Sequence, residues 1–314
     1  MPNFSLPDDV FLKAARAFPT PFHLYDEEGI RETARGLNRA FAWCDDFQEY
    51  FAVKALPSPA VLRILKEEGC GVDCASLTEL LLAQALDFPG ESIMFSANAM
   101  PPQELAYARR LGAYINLDDI THIPLLHQHG GIPECICCRY NPGGDFTIGN
   151  TIMGNPGEAK YGFTRAQLTQ GLRALGDLGA KSFGLHAFLS SNTTDNSYYP
   201  GLARLLFQTA RELREETGLV LSFVNLSGGI GIPYHPGEEG ADIAQIGAGV
   251  REAYRDVFTA AGIRGVAIKT ELGRYMTGPH GWLVTRATTR KETYRRYIGL
   301  DASAVDLMRP AMYG

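Results

Sequence analysis

The chain has 314 residues, is 45% hydrophobic and 20% charged, and carries a formal charge of −6 from interspersed acids and bases. That is enough apolar material for one large α/β barrel or two ordinary domains, and no basic stripe marks a nucleic-acid surface. No apolar run approaches bilayer length and the N-terminus lacks the basic-then-apolar order of a signal peptide, so the expectation is a cytoplasmic protein without membrane or nucleic-acid partners.

In chain order, TPFHLYD (20–26) reads as a strand and DEEGIRETARGLNRAFAWC (26–44) as a helix. Eight β-rich runs follow: EYFAVKA, GVDCA, SIMFS, AYINL, ECICCRY, SFGLHAF, LSFVNL and VAIKT. Helical patterns such as SPAVLRILKEEG, SLTELLLAQAL, PPQELAYARRLG and PGLARLLFQTARELREETG separate them, with Gly or Pro at many boundaries. Eight β-then-α units predict an α/β fold, a (β/α)8 barrel of the TIM type. After it, HGWLVTRATTR and RRYIGLDASAV each read as one strand with no helix between them, the start of an all-β C-terminal domain that is not completed by Gly314. The expected division is residues 1–25 as an N-terminal segment packing with the β domain, 26–274 as the barrel, and 275–314 as the opening of the β domain.

Barrel enzymes carry their chemistry at the C-terminal ends of the strands. Lys54, in YFAVKALPSP, reads as a cation buried at the end of strand one, and such a lysine snorkels, pairs with an acid, or has a depressed pKa suited to chemistry. Asp73 falls in strand two, Asn98 after three, Arg139 and Asn141 at the end of five, and His186 late in six. Ser227, Gly228 and Gly229 follow seven, and Glu271 and Arg274 follow eight. Singly these have plain explanations: Asp73 as a cap for the helix near Ser76, Asn98 in a turn, Arg139 in a surface ion pair, His186 as a satisfied core histidine. Convergence on one barrel face favours a site.

SGGIGIP (227–233) is a glycine-rich turn of the kind that lets backbone N–H groups approach an anion. It lacks the GK[ST] of a nucleotide loop and the dinucleotide fingerprint, so a lone phosphate suits it better than ATP or NAD. A lysine, a phosphate cradle and a carboxylate at one mouth suit pyridoxal 5'-phosphate, the lysine holding the aldehyde as a Schiff base, the glycines the phosphate and Glu271 the pyridine nitrogen. The six cysteines show no CxxC pair or metal-finger spacing; they read as reduced thiols, with no metal site expected.

On YFAVKA, GVDCASLTEL, RYNPGG, SGGIGIPY, TELGRYMTG and DASAVDLMRPAMYG, the sequence resembles the barrel-type pyridoxal-phosphate decarboxylases through nearly its whole length. The resemblance implies Lys54 as the Schiff-base lysine, Glu271 as the pyridinium partner, and Ser227, Gly228 and Gly229 at the phosphate. It places Asp73, His186, Phe188 and Arg274 at the cofactor and makes Arg274, Arg309 and Tyr313 substrate contacts. The implied reaction is decarboxylation of meso-2,6-diaminopimelate to L-lysine by a homodimer with shared active sites. The alternatives are a related decarboxylase of ornithine, lysine or carboxynorspermidine, or a non-catalytic cofactor-binding paralogue. Two departures stand out. HAFLSSN puts Phe188 where the family has a ring-stacking histidine, and a Cys-Glu-Ser motif that the family supplies from beyond this point is absent, so a longer enzyme is expected.

Overall fold

In a computed structural model, residues 6–144, 155–235 and 237–309 are described. The chain divides into two compact units, one of residues 31–276 and one of residues 1–30 with 277–314.

The larger unit is the barrel. Helix α1 (Asp8–Ala17), strand β1 (Phe22–Tyr25) and helix α2 (Glu27–Ala40) precede its first strand. The barrel then runs as β2 (Gln48–Ala52), α3 (Pro59–Glu67), β3 (Gly71–Cys74), α4 (Leu77–Ala85), β4 (Ile93–Ser96) and α5 (Pro102–Leu111). It continues as β5 (Tyr114–Leu117), α6 (His122–His129), β6 (Cys135–Arg139), α7 (Arg165–Asp177), β7 (Ser182–His186) and α8 (Tyr198–Thr217). The last repeats are β8 (Val220–Asn225), α9 (Ile243–Tyr254), β9 (Ala267–Thr270) and the short α10 (Arg274–Thr277). All eight strands β2–β9 pair in parallel in sequence order, and β2 pairs with β9 to close the barrel. The expected eight-fold α/β barrel is therefore what forms.

Local chemistry explains the boundaries. Pro59 and Pro102 start α3 and α5, where a missing backbone N–H costs nothing. The Ser76 hydroxyl caps α4, Thr164 and Gln167 make a reciprocal capping box on α7, and Asp242 caps α9. Inside, Tyr50, Met94, Cys137 and Phe223 come from alternate strands β2, β4, β6 and β8 and fill one layer of the interior. CICC is, as expected, a packed strand, with Ile136, Cys137 and Cys138 all fully buried.

In the smaller unit, β1 pairs antiparallel with β10 (Gly281–Val284), and β11 (Ala287–Glu292) with β12 (Arg296–Leu300). HGWLVTRATTR was expected as one strand and is two. The Asp301 carboxylate accepts from the Thr285 hydroxyl (2.6 Å) and the Arg286 N–H (2.8 Å), so the chain turns out of the ladder there. No helix among the described residues is long and apolar enough to cross a membrane.

Candidate active site

Strand register sets the level of the site. Arg139, His186 and Asn225 are successive partners across β6, β7 and β8 at their C-terminal ends, and Ala52 pairs with Asp73 across β2 and β3. The acid Glu271 follows β9 and points into this level, where it is fully ringed by donors.

Glu271 Oε1 accepts from Asn225 Nδ2 (2.7 Å) and Ser96 Oγ (3.5 Å), and Oε2 accepts from Ser227 Oγ (2.9 Å). His186 Nε2 lies 3.3 Å from Oε2. A carboxylate is acceptor-only, so Nε2 carries the proton in that contact. Burial by itself pushes the Glu271 carboxyl up, but His186, Lys54 and the Ser227 hydroxyl outweigh it and hold the group at about 2. Glu271 is thus a buried, ionised carboxylate. Asp73, also buried, behaves oppositely: burial first and the charge of Glu271 second raise it well above the usual carboxylate range, against the pull of Lys54.

Lys54 is the largest correction to the sequence reading. It lies in a one-turn 3-10 segment, Val53–Ala55, just past β2, and its side chain is 64% exposed, with Nζ 4.0 Å from Asp73 Oδ2. The apolar run around it is buried, but the helical turn swings residue 54 out of the strand's alternation and over the mouth. The buried lysine is Lys269 in β9, 6% exposed. Its ammonium donates to Tyr50 Oη (2.7 Å) and lies 4.5–5.0 Å from the ring centroids of Tyr50, Tyr114 and Phe223. Burial lowers its pKa to about 8.

The glycine turn is built around Ser227, which has φ +57°, a conformation rare for a residue with a side chain. Its N–H donates to Asn225 Oδ1 (2.8 Å), and its carbonyl accepts from Tyr199 Oη (2.6 Å) and Glu271 N (2.8 Å). With the Ser227 Oγ bond to Glu271, four bonds hold the strained residue. A Cβ on Gly228 would fall 2.7 Å from Glu271 O, and one on Gly229, where φ is +117°, would fall 2.7 Å from Ser190 O. Neither position admits a side chain. Phe188, half-buried, has its ring edge 4.0 Å from the position of that Gly228 Cβ, so it borders the turn.

The other expected residues divide. Arg139 is no surface pair: it is 13% exposed, bonds the buried Asp118 at 3.1 Å and stacks on Tyr161 at 4.4 Å. The cap at α4 is Ser76, not Asp73. Arg274 is half-buried and bonds the Tyr234 hydroxyl. Asn141 holds the Pro156 carbonyl (3.0 Å) and Gly143 N–H (2.9 Å), and Asn98 is exposed. Arg309 is exposed in the smaller unit, and Tyr313 lies outside the described residues. Ser96, Asn225 and Tyr199 escaped the sequence reading; only the position of Ser96 and Asn225 as the last residues of barrel strands pointed to them. A groove of about 900 Å³ on the outer face, lined by Trp43, Arg251 and Tyr254, contains none of these strand-end residues.

Three buried polar atoms at the mouth, Asp73 Oδ1, Asn116 Oδ1 and His186 Nδ1, have no hydrogen-bond partner among the described residues. Unsatisfied groups of this kind are costly and mark a place for a polar ligand. With an ionised carboxylate, an amine and a turn that admits no Cβ, they fit a phosphorylated pyridine aldehyde. A parallel eight-stranded barrel so equipped belongs to the pyridoxal-phosphate class of enzymes.

Residues 27–278 match the pyridoxal-binding domain of the pyridoxal-dependent decarboxylases. Protein TabA of Pseudomonas amygdali pv. tabaci is 36% identical over 297 residues, covering 95% of this chain and 69% of that protein. The diaminopimelate decarboxylase of Methanothermobacter thermautotrophicus is 34% identical over 310 residues, covering 96% of this chain and 71% of that protein. Among solved structures, diaminopimelate decarboxylase from M. jannaschii in complex with L-lysine superposes with a TM-score of 0.86 at 25% identity, covering 96% of this chain and 72% of that one. The chain belongs to the pyridoxal-dependent decarboxylase family, and its cofactor is pyridoxal 5'-phosphate.

Proposed function

We propose that this decarboxylase acts on meso-2,6-diaminopimelate and releases L-lysine and carbon dioxide. The observation that carries the substrate is the 34% identity to a diaminopimelate decarboxylase across 96% of the chain, supported by the likeness to a family structure holding L-lysine.

The geometry supports the residue roles proposed here. Lys54, exposed over the mouth beside Asp73, is the amine that would hold the cofactor through its aldehyde. The backbone of Ser227, Gly228 and Gly229 receives the phosphate, since a turn without Cβ atoms lets N–H groups close on an anion. Glu271 is the acceptor that keeps a proton on the pyridine nitrogen, and its low pKa means it does not take that proton itself. When bound there, the protonated ring supplies the electron sink for the pair left by the departing carboxylate. Phe188, beside the glycine turn, packs its ring on the cofactor without donating a proton. Burial and the charge of Glu271 raise Asp73 while Glu271 is held low, so Glu271 is the stronger acid of the two.

Arg274, in the turn after β9, recognises the substrate, a role that the sequence resemblance also gives to Arg309 and Tyr313. Arginine pairs bidentately with a carboxylate, and diaminopimelate retains a second carboxylate after the first leaves. We further propose a cytoplasmic homodimer with shared active sites. None of the six cysteines is in a disulfide, as a reducing compartment requires, and Tyr297, Ile298 and Leu300 of β12 lie exposed in the smaller unit. Light scattering on the protein tests the dimer: one mass at twice the chain supports it and a single-chain mass overturns it.

Carbon dioxide release from meso-diaminopimelate, ornithine, lysine and carboxynorspermidine tests the substrate. Release from diaminopimelate at least tenfold above the others in kcat/KM is expected. A preference for any other member assigns that substrate instead, and cofactor binding with no release from any assigns a non-catalytic binder.

A further inference from the structure

Glu49 is a buried acid that the proposed chemistry does not use. It lies on β2, five residues before Lys54, at 1% exposure. The β2–β9 ladder that closes the barrel is short, with Gln48 opposite Lys269 and Glu49 opposite Thr270. Beyond that pair Tyr50–Ala52 of β2 continue in the ladder with β3 before the Val53–Ala55 segment, and β9 ends at Thr270. The Glu49 carboxyl takes over: Oε2 accepts from Thr270 Oγ at 2.5 Å and Oε1 from Leu272 N at 2.7 Å. The residue between them is Glu271, whose own N–H is held by Ser227 O at 2.8 Å.

We infer that Glu49 is a positioning residue for the cofactor site, a side-chain extension of the closing ladder that holds the Thr270 hydroxyl on one side of Glu271 and the Leu272 backbone N–H on the other. The inference rests on the reading of Glu271 as the partner of the pyridine nitrogen. A carboxylate that must face one ring atom tolerates little displacement, and a strand end with two loose donors would let it move. Burial raises Glu49 well above the usual carboxylate range, against the bonds from Thr270 and Leu272. Glutamine preserves the shape and the Leu272 acceptor, aspartate is one methylene short, and leucine keeps the volume with no acceptor.

The test is cofactor titration of the apoprotein, reading the dissociation constant and the visible absorbance of the bound form, with kcat measured alongside. Glu49→Gln is expected within about twofold of the parent. Glu49→Leu is expected to raise the dissociation constant about tenfold or more and to move the absorbance in the direction that Glu271→Gln moves it. Leu126→Ala, a buried position on α6, provides a comparably destabilised protein whose absorbance stays at the parent's. Should Glu49→Leu not fold, Glu49→Asp decides, since positioning requires it to bind the cofactor less tightly than Glu49→Gln. Parent-like affinity and absorbance in Glu49→Leu, or Glu49→Asp outperforming Glu49→Gln, overturns the inference. If Glu271→Gln itself leaves the absorbance unchanged, it is the reading of Glu271 that fails.

Discussion

His186 Nε2 stands 3.3 Å from Glu271 Oε2, with both side chains almost completely buried, and His186, Lys54 and the Ser227 hydroxyl together keep the acid at the base of the mouth ionised against its burial. Burying a lone carboxylate would neutralise it. On the proposed reading of Glu271, the pair favours a protonated pyridine over a neutral one.

Glu271→Gln should therefore retain the cofactor and lose turnover by about a hundredfold or more, since a neutral amide no longer favours the ring-nitrogen proton. Steady-state kinetics on fully loaded enzyme checks it. His186→Ala should lose more activity than His186→Gln, which still offers a donor to Glu271.

Gly229→Ala should bind the cofactor at least tenfold more weakly and cost about 1–3 kcal/mol of stability, because φ +117° and the 2.7 Å approach to Ser190 O leave a Cβ no place. Cofactor titration and a thermal scan measure both. Normal affinity would move the phosphate away from this turn.

Much of the site was legible because strand ends carry barrel chemistry: Asp73, His186, Ser227, Gly228, Gly229 and Glu271 all meet at one level. The eight strands were legible as β-rich runs cut off by Gly and Pro. What the pattern did not convey was side-chain direction at strand ends. A charge inside an apolar run drew attention to Lys54, which a single 3-10 turn carries outward, while the same signal at Glu49 and Lys269 marked side chains that are in fact buried. The break between β10 and β11 depended on Asp301, far along the chain from the turn it holds.

Lys269 makes a prediction about pH. Its amine is pushed from 10.5 to about 8 by burial, so the folded state carries a penalty in full below pH 8 that disappears as pH rises from about 8 toward 10.5, where the unfolded chain also releases the proton. The shift corresponds to about 3 kcal/mol, of which the three ring faces return roughly 1–2. Lys269→Met should then be more stable than the parent at pH 7 by about 1–2 kcal/mol, with the advantage shrinking by pH 9.5. Denaturant unfolding at the two pH values decides; an advantage that grows with pH contradicts the assignment.

The central claim is that Lys54 is the amine on which the cofactor is held, and borohydride reduction of the loaded protein followed by peptide mapping tests it most directly. A pyridoxyl group on Lys54 alone, lost in Lys54→Ala, is the predicted result. A label on Lys269 or on any other lysine, with Lys54 unmodified, would contradict the account.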